Sequence, residues 1–434
     1  MELKNNKKTI RSWAMFDWAN SAYNLVITST IFPAYYVAIT QGANDQVMFF
    51  GRQFTNTALS NYALSAAYLV MVILLPILSS VADYHGNKKI FMKLFTYLGG
   101  ISCAGLFFFK LETLEVSMIL FALAAIGYIG GVMFNNSYLP EIASIENQDK
   151  VSAQGFAYGY VGSVILQIIC FVFVLQPDLF ADASFPARLS FLLVGIWWIA
   201  FAQIPFKSLP AGSPNYNRIN KNIIHGGFQE LQKVWRQLAA MKLLKRFLYA
   251  FFFYAMGVQT IMLVAAAFGE KILKLGTSKL IITILIIQLV AILGALIMSR
   301  FAKRYGNIPV LIFVVTIWIV VCICAYFITT EYQFYALAAI VGLVMGGIQS
   351  ISRSTYSKLI PENTPDTASF FSFYDVTEKI AIVIGLFSFG YIEEFTGSMR
   401  NSALTLGGFF LVGLLILFSI LFMKSQPAIE LKSA

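Results

Sequence analysis

Twelve apolar stretches, each about the length of a membrane-spanning helix, fill this chain almost from end to end. An α-helix rises ~1.5 Å per residue, so ~20 apolar residues cross the ~30 Å hydrocarbon core of a bilayer. Hydrophobic residues make up 58% of the chain and charged residues 12%, which is too little polar surface for a water-soluble core of this length. The stretches predict transmembrane helices over residues 16–39, 59–81, 90–109, 116–139, 155–175, 189–206, 247–268, 280–298, 309–328, 334–351, 370–392 and 403–423.

The distribution of Lys and Arg predicts the orientation of these helices, because basic residues concentrate in cytoplasmic loops. With the amino terminus in the cytoplasm, the even number of spans places the carboxy terminus there as well. The net charge of +10 then follows from membrane topology, so we expect contacts with membrane lipid and none with nucleic acid. In this orientation the outer connections hold only seven of the 31 basic residues: Arg52, Lys110, Arg188, Lys271, Lys274, Lys279 and Arg400.

The longest connection, residues 207–246, separates six apolar stretches from six. It predicts an amino-terminal six-helix bundle over 1–206, a basic cytoplasmic linker over 207–246 and a carboxy-terminal six-helix bundle over 247–434. Within the linker, apolar residues recur at helical spacing over 228–244 among Gln, Lys and Arg residues. This pattern is typical of an amphipathic helix that lies on a membrane surface.

Two short loops occur in both halves at an offset of about 220 residues. Residues 83–87 (Asp-Tyr-His-Gly-Asn) follow the second stretch, and residues 303–307 (Lys-Arg-Tyr-Gly-Asn) follow the eighth. A Pro-Glu pair follows the fourth stretch at 140–141 and the tenth at 361–362. Duplication of a six-helix unit predicts an all-α integral membrane fold of two pseudo-symmetric bundles, the major facilitator architecture.

Strongly polar residues inside the stretches fall on the helices that line or flank the central cavity in that architecture. The third, sixth, ninth and twelfth stretches carry no Asn, Gln or ionised residue at mid-span. Lipid cannot solvate such groups, so their sorting indicates an aqueous pathway. The predicted substrate and ion pathway consists of Asp17, Asn20, Asn24, Asn135, Asn136, Gln259, Gln349, Arg353, Asp375, Glu378 and Lys379.

In the first stretch, Asp17, Asn20, Asn24 and Thr28 recur at three- or four-residue steps and predict one polar stripe on an α-helix. Asp17 lies only about one turn inside the membrane. Two roles are open for it: a carboxylate that caps a structural network, or a group that acts in gating or ion coupling.

The eleventh stretch carries Asp375, Glu378 and Lys379 near its middle. Asp375 and Lys379 are four residues apart and are expected to pair along one helix face. Two acids beside one base leave a surplus negative charge, which Arg353 on the tenth stretch is placed to neutralise. We hypothesise that this group changes its pairing during transport and that one acid carries a coupling proton. A purely structural ion-pair network is the alternative.

The four cysteines, Cys103, Cys170, Cys322 and Cys324, all fall within apolar stretches and lack metal-ligand spacing. We expect buried thiols, with no disulfide, no metal site and no cofactor. No nucleotide-binding loop and no nucleophile–base set is present in the sequence, so an enzyme or an ATP-driven pump is not predicted.

Five segments together resemble one family of transporters: residues 13–23, 135–141, 257–260, 346–354 and 370–374. They are similar to the unknown-major-facilitator family, which is related to the fungal vacuolar amino-acid effluxers linked to autophagy. The likeness extends over nearly the whole chain.

The loop over residues 79–88 resembles the signature loop of the superfamily, Gly-x-x-x-Asp-x-x-Gly-Arg-Lys/Arg. Asp83, Gly86 and Lys88 match it and are the candidate gating loop, while Ser79 and Asn87 depart from it. In the second copy of the loop Lys303 replaces the acid, which removes or reverses the usual ion pair.

The resemblance implies transport of a small-molecule substrate by alternating access, with efflux as the direction and amino acids as the substrate class. The short loops and compact length favour a bacterial inner membrane, and the fold class predicts a monomer. Two alternatives remain open: a membrane sensor that binds a ligand on a transporter fold without net flux, and a lipid flippase.

Overall fold

The computed structural model describes residues 4–41, 46–176, 180, 182–211 and 223–423; the side chains of 223–228, 230, 277 and 278 are outside this description. Within these residues the chain forms two compact units. The amino-terminal unit comprises residues 7–135 and 158–211, and the carboxy-terminal unit comprises 4–6, 136–157 and 223–423. The predicted division at residues 206 and 246 remains a prediction; by contacts, residues 136–157 group with the carboxy-terminal unit.

Helices account for nearly all of the described chain. A π-helix over Tyr23–Ile31 and 3-10 turns over Leu106–Phe108, Leu111–Thr113 and Ile145–Asn147 join or extend the α-helices. The α-helices in chain order are α1 (Lys7–Ala22), α2 (Phe32–Thr40), α3 (Asn56–His85), α4 (Lys88–Gly105), α5 (Leu114–Asn136), α6 (Leu139–Ile142), α7 (Gln148–Val174), α8 (Phe185–Ser208), α9 (Ile223–Ala240), α10 (Lys242–Leu273), α11 (Thr277–Tyr305), α12 (Asn307–Phe327), α13 (Glu331–Leu359), α14 (Thr367–Thr396) and α15 (Met399–Leu421).

Eleven helical segments of the described chain are long and apolar enough to cross a membrane. A twelfth helix, α14, has 30 residues and carries the three mid-span charges Asp375, Glu378 and Lys379. The first span extends further than predicted and runs from Lys7 to Thr40 through the π-helix. We treat α14 as a span as well, because its 30 residues are more than enough to cross the bilayer core.

A two-stranded hairpin is an addition that the all-helical prediction lacked. Strand β1 (Gln46–Phe49) pairs antiparallel with β2 (Arg52–Thr55). Phe50 and Gly51 join them with φ angles of 45° and 76°, as a two-residue hairpin turn with left-handed residues requires.

Within the carboxy-terminal unit, α13 packs closely along α11 because glycines remove side chains from the contact. A Cβ atom on Gly346 would lie 2.0 Å from the Ala291 carbonyl oxygen, and one on Gly294 would lie 2.1 Å from that of Leu343. Small residues of this kind let two membrane helices bring their backbones together. This packing places the polar carboxy-terminal half of α13 at a fixed register.

The linker helix begins and ends earlier than predicted. It covers Ile223–Ala240 and not 228–244, because the backbone at Met241 leaves the helical region before α10 starts at Lys242. Val234 and Leu238 are buried, so one side of α9 packs against the carboxy-terminal unit. The side chain of Phe228 is outside the described residues.

Three of the four cysteines are buried as expected, but Cys324 is exposed. It lies on α12, one of the most apolar spans, so this exposed surface is the kind that faces lipid.

Candidate functional site

The charged segment of α14 forms a bonded group with α10. The Lys379 ammonium donates to Oε2 of Glu378 at 2.6 Å, and the Gln259 amide donates to Oε1 at 2.8 Å. Both carboxylate oxygens of Glu378 are therefore occupied. Hydrogen bonds and ion pairs of this kind offset the cost of a charged group inside a membrane span.

Asp375 lies one turn earlier on α14 and is only 2% exposed. Its Oδ2 atom has no hydrogen-bond partner among the described residues. The carboxyl group interacts electrostatically with Lys379, Glu378 and Arg353. The predicted pairing of Asp375 with Lys379 remains a prediction, since the hydrogen bond seen from Lys379 goes to Glu378.

Aromatic rings enclose this part of α14. The Tyr374 ring stacks on Phe251 with 4.2 Å between centroids and lies 5.0 Å from the ring of Tyr356. The hydroxyl group of Tyr254 is 2.7 Å from the Ser352 hydroxyl group. Apolar ring faces and a few hydroxyl groups thus lie around this part of α14. The ring faces exclude bulk water, and the hydroxyl groups keep polar atoms near Asp375.

Arg353 on α13 is buried, and its guanidinium group binds residues 136–157. Nη1 donates to Oδ1 of Asn136 at 3.0 Å, Nε donates to the Ser152 hydroxyl at 3.0 Å, and Nη2 donates to the Ser152 carbonyl at 2.8 Å. The guanidinium carbon lies 4.1 Å from the centre of the Phe156 ring. Arg353 was expected to neutralise the acids of α14. Its charge does act on Asp375, but these N–H groups bind Asn136 and Ser152.

A second polar cluster, which sequence reasoning missed, lies at the start of α7. The Lys358 ammonium donates to Oδ2 of Asp149 at 2.5 Å, and the Asn307 amide donates to Oδ1 at 2.7 Å. Lys358 also donates to the Asn307 amide oxygen at 3.0 Å. Asn307 belongs to the duplicated loop, and this repetition was the sequence signal that marked it.

The duplicated Pro-Glu pair also supplies a contact at this end. The Thr367 hydroxyl, in the first turn of α14, donates to Oε1 of Glu141 at 2.9 Å. The Ser152 hydroxyl donates to the backbone carbonyl of Ser350 at 2.7 Å. Residues 136–157 are thus bonded to α13 and α14 by side chains from at least four positions: Asn136, Glu141, Asp149 and Ser152.

In the amino-terminal unit, Asp17 and Asn135 lie together. The Asn135 amide donates to Oδ1 of Asp17 at 3.3 Å, and the Asn135 carbonyl accepts from the Trp13 indole at 2.8 Å. Asn20 is buried on the same helix. The structure therefore brings together two of the predicted pathway residues in this unit and places a third beside them.

The helix that carries the predicted polar stripe changes form after Ala22. Residues 23–31 form a π-helix, in which hydrogen bonds span five residues, so the strict 3.6-residue period used to place Asn24 and Thr28 ends there, and their part in the stripe remains a prediction. Asn24 is exposed, and the hydroxyl that makes a contact across helices is that of Thr30, 2.9 Å from Oε1 of Gln167. Neither Thr30 nor Gln167 was among the predicted site residues.

The candidate gating loop has a defined backbone. Gly86 adopts φ 66° and ends α3, with its N–H donating to the carbonyl of Asp83 at 3.1 Å. Lys88 is buried at the start of α4. Gln349 is half-buried on α13, four residues before Arg353. The roles of these four residues remain predictions.

No group of three or more His, Cys, Asp or Glu side chains in the described part of the chain is close enough to hold a metal ion. The site described above consists of charged groups buried in membrane helices, and such groups are characteristic of solute and ion pathways.

A profile of the family described as "vacuole effluxer Atg22 like" matches residues 5–148 and 144–429. The chain belongs to this family. The uncharacterized MFS-type transporter YxiO of Bacillus subtilis (strain 168) is 30% identical over 418 residues, which cover 96% of this chain and 95% of YxiO. Autophagy-related protein 22 of Kluyveromyces lactis is 25% identical over 403 residues, covering 85% of this chain and 80% of that protein.

Solved structures of major facilitator superfamily transporters share the fold. FucP in its outward conformation superposes with a TM-score of 0.71 at 13% identity, covering 96% of this chain and 99% of FucP. A bacterial homologue of the iron transporter ferroportin, in its outward-facing state, gives 0.68 at 12% identity, with 96% and 99% covered. The predicted family and fold class are confirmed. This Atg22-like protein is a multi-pass membrane transporter and not an enzyme.

Proposed function

We propose that this protein is a secondary active transporter that exports a small solute by alternating access and couples the movement to protons. The observation that carries the proposal is the bonded charge group of α14. Each charge at the centre of a span costs at least ~2.5–3.5 kcal/mol unless it is paired or hydrated. Three such charges on one helix therefore support a role in binding substrate or ion.

Within this group we assign the coupling proton to Asp375. Glu378 has a bonded partner at each oxygen, so adding a proton to it would break an ion pair. Asp375 is buried, and its Oδ2 atom has no hydrogen bond among the described residues, so a proton can bind there without breaking a bond to that atom. The neighbouring Glu378–Lys379 pair then supplies one acidic and one basic group for a substrate.

We propose amino acids as the substrate class. A zwitterionic amino acid carries a carboxylate that matches the Lys379 ammonium and an ammonium that matches Glu378 or Asp375. Binding would exchange the internal ion pair for two pairs with the substrate, which limits the cost of desolvation. The family description names an effluxer, which supports export as the direction of transport.

The contacts of residues 136–157 support a gate at the cytoplasmic ends of the helices. We propose that the bonds of Arg353 to Asn136 and Ser152, and of Lys358 to Asp149, form when this end is closed and break when it opens. Charge-assisted hydrogen bonds of this kind are individually strong but reversible, as a gate requires. A gating role for the loop with Asp83, Gly86 and Lys88 is a separate proposal, which its resemblance to the signature loop of the superfamily supports.

We further propose that both termini are cytoplasmic, that the membrane is a bacterial inner membrane and that the transporter acts as a monomer. The bias of Lys and Arg toward alternate connections supports the orientation. The similarity to YxiO of Bacillus subtilis supports the bacterial membrane.

The direct test is uptake of a labelled amino-acid mixture into liposomes that contain the purified full-length protein. We expect saturable uptake above the level in protein-free liposomes. Lys379→Gln should abolish this uptake, whereas Lys271→Gln, which removes a lysine from the last turn of α10, should retain it. Uptake no faster than in protein-free liposomes would exclude amino acids as the substrate. Transfer of a labelled phospholipid between leaflets under the same conditions would instead support a flippase.

A further inference from the structure

The linker helix α9 has two chemically different sides. Val234 and Leu238, four residues apart, are buried against the carboxy-terminal unit. Trp235 and Arg236 follow Val234 in sequence and are exposed, with 56% of Trp235 accessible. A large aromatic ring and a cation side by side on an exposed helix face are typical of helices at a membrane–water interface.

This helix is fixed to the start of α14 at two points. The Lys233 ammonium donates to Oδ2 of Asp366 at 2.8 Å, and Asp366 is the buried residue that directly precedes α14. The Trp235 ring lies 5.5 Å from the ring of Phe373. Phe373 is two residues before Asp375, so α9 contacts the helix that carries the mid-span charges close to the first of them.

Basic and aromatic side chains continue from α9 into α10. Lys242 and Arg246 are exposed on the first turns of α10, and Tyr249 is exposed one turn further along. Together with Trp235 and Arg236 they supply three cations and two aromatic rings, all exposed, over residues 235–249, and we treat these five side chains as one surface. The three cations give this surface a charge complementary to anionic headgroups.

We propose that this surface, Trp235, Arg236, Lys242, Arg246 and Tyr249, binds the anionic phospholipid headgroups of the cytoplasmic leaflet. The proposal rests on the orientation proposed above and not on the transported solute. The cations attract the headgroup phosphates, and the Trp and Tyr rings lie at headgroup depth. Because Lys233 and Trp235 contact α14, lipid binding also holds the first two turns of that helix.

Amide hydrogen exchange of the full-length protein in nanodiscs tests this directly. The comparison is between phosphatidylcholine alone and phosphatidylcholine mixed with phosphatidylglycerol. We expect exchange across α9 to slow in the anionic nanodiscs by about fivefold for each basic side chain engaged. The first turns of α14 should slow with it, and raised salt should reverse both effects.

Two double variants give the decisive comparison. Arg236→Gln with Lys242→Gln should reduce the lipid response by about 25-fold, because only Arg246 remains of the three cations. Lys110→Gln with Lys271→Gln removes the same charge from outer connections and should leave the response unchanged. Equal exchange of α9 in both lipids would overturn the proposal, as would an undiminished response in the first double variant. Protection by soluble glycerol phosphate in neutral nanodiscs would overturn it too, because the site would then recognise a free anion. None of these readouts depends on transport, so their outcome is separate from that of the proposed function.

Discussion

Glu378 and Lys379 are adjacent in the sequence and form an ion pair, with 2.6 Å between Oε2 and Nζ. Adjacent residues on an α-helix point about 100° apart, so the pair requires both long side chains to bend toward each other. The bond of Gln259 to the other oxygen of Glu378 fixes that carboxylate from a second helix. Asp375 is the acid of this group that keeps an oxygen without a hydrogen bond in the described chain.

Asp375→Asn should abolish accumulation of substrate driven by a pH gradient while leaving exchange of substrate across the membrane intact. The amide has nearly the shape of the protonated acid but cannot release a proton, so the carrier cycles without coupling. Gradient-driven uptake and substrate exchange, measured on the same liposomes, separate the two effects.

Glu378→Gln is the matched comparison, since it removes an acid one turn away whose oxygens are already bonded. We expect it to weaken substrate binding, with a higher KM, and to retain a response to the gradient. If both variants leave gradient-driven flux unchanged, the assignment of a proton to this group is wrong.

Arg353→Lys should reduce both transport and stability although the charge is retained. The guanidinium group makes three hydrogen bonds to Asn136 and Ser152, and a lysine ammonium cannot reproduce that planar arrangement. Loss of two charge-assisted hydrogen bonds predicts a decrease of roughly 3 kcal/mol in the free energy of unfolding. Thermal unfolding in detergent measures this. The control variant Arg300→Lys, at an exposed position of α11, should unfold at the same temperature as the unchanged protein. An equally small effect of Arg353→Lys on thermal unfolding would contradict the role given to Arg353.

The Asp149–Lys358 contact should behave as a coupled pair in a double-mutant cycle. Asp149→Asn and Lys358→Gln should each open the cytoplasmic end and increase maleimide labelling of a cysteine introduced by Ser350→Cys, a fully buried position. The double variant should show less than the sum of the two effects, with a coupling energy of about 0.5–3 kcal/mol. The same variants without Ser350→Cys give the background labelling of the native cysteines, including the lipid-facing Cys324. Additive effects would show that the contact does not hold the gate.

Gly346→Val should prevent stable folding, because even a Cβ atom there would lie 2.0 Å from the Ala291 carbonyl oxygen. Overpacking of this kind typically costs 1–3 kcal/mol and more where backbone must move, so ~3 kcal/mol is the expected minimum here. Gly408→Val is the control, since a Cβ atom on Gly408 meets nothing within 4 Å. Size-exclusion chromatography after mild heating compares the two; similar survival would refute the close α11–α13 packing.

The sequence was sufficient for the fold because hydropathy determines where helices cross a bilayer. It also identified α14 as a span despite its charges, because apolar residues continue on both sides of Asp375 and Lys379. It missed the π-helix of the first span, because Asn24 and Thr28 were placed by a regular 3.6-residue period. Periodicity also gave no sign of the contact that Thr30, within the π-helix, makes with Gln167.

The site was only partly predictable for a related reason. Arg353 and Asn136 stood out because a charge and an amide at the inner ends of apolar stretches are costly. Their direct contact was not evident, because the two residues are 217 positions apart in the sequence. Asp149 and Lys358 looked like ordinary loop charges, and only the folded chain shows that they pair and bind Asn307.

The measurement that tests the central claim most directly is amino-acid accumulation in proteoliposomes with and without an imposed pH gradient. The account predicts accumulation above the external concentration only when the gradient is present, and its collapse when an uncoupler dissipates the gradient. Equal levels with and without the gradient would contradict proton coupling, and no flux above protein-free liposomes would contradict amino-acid transport itself.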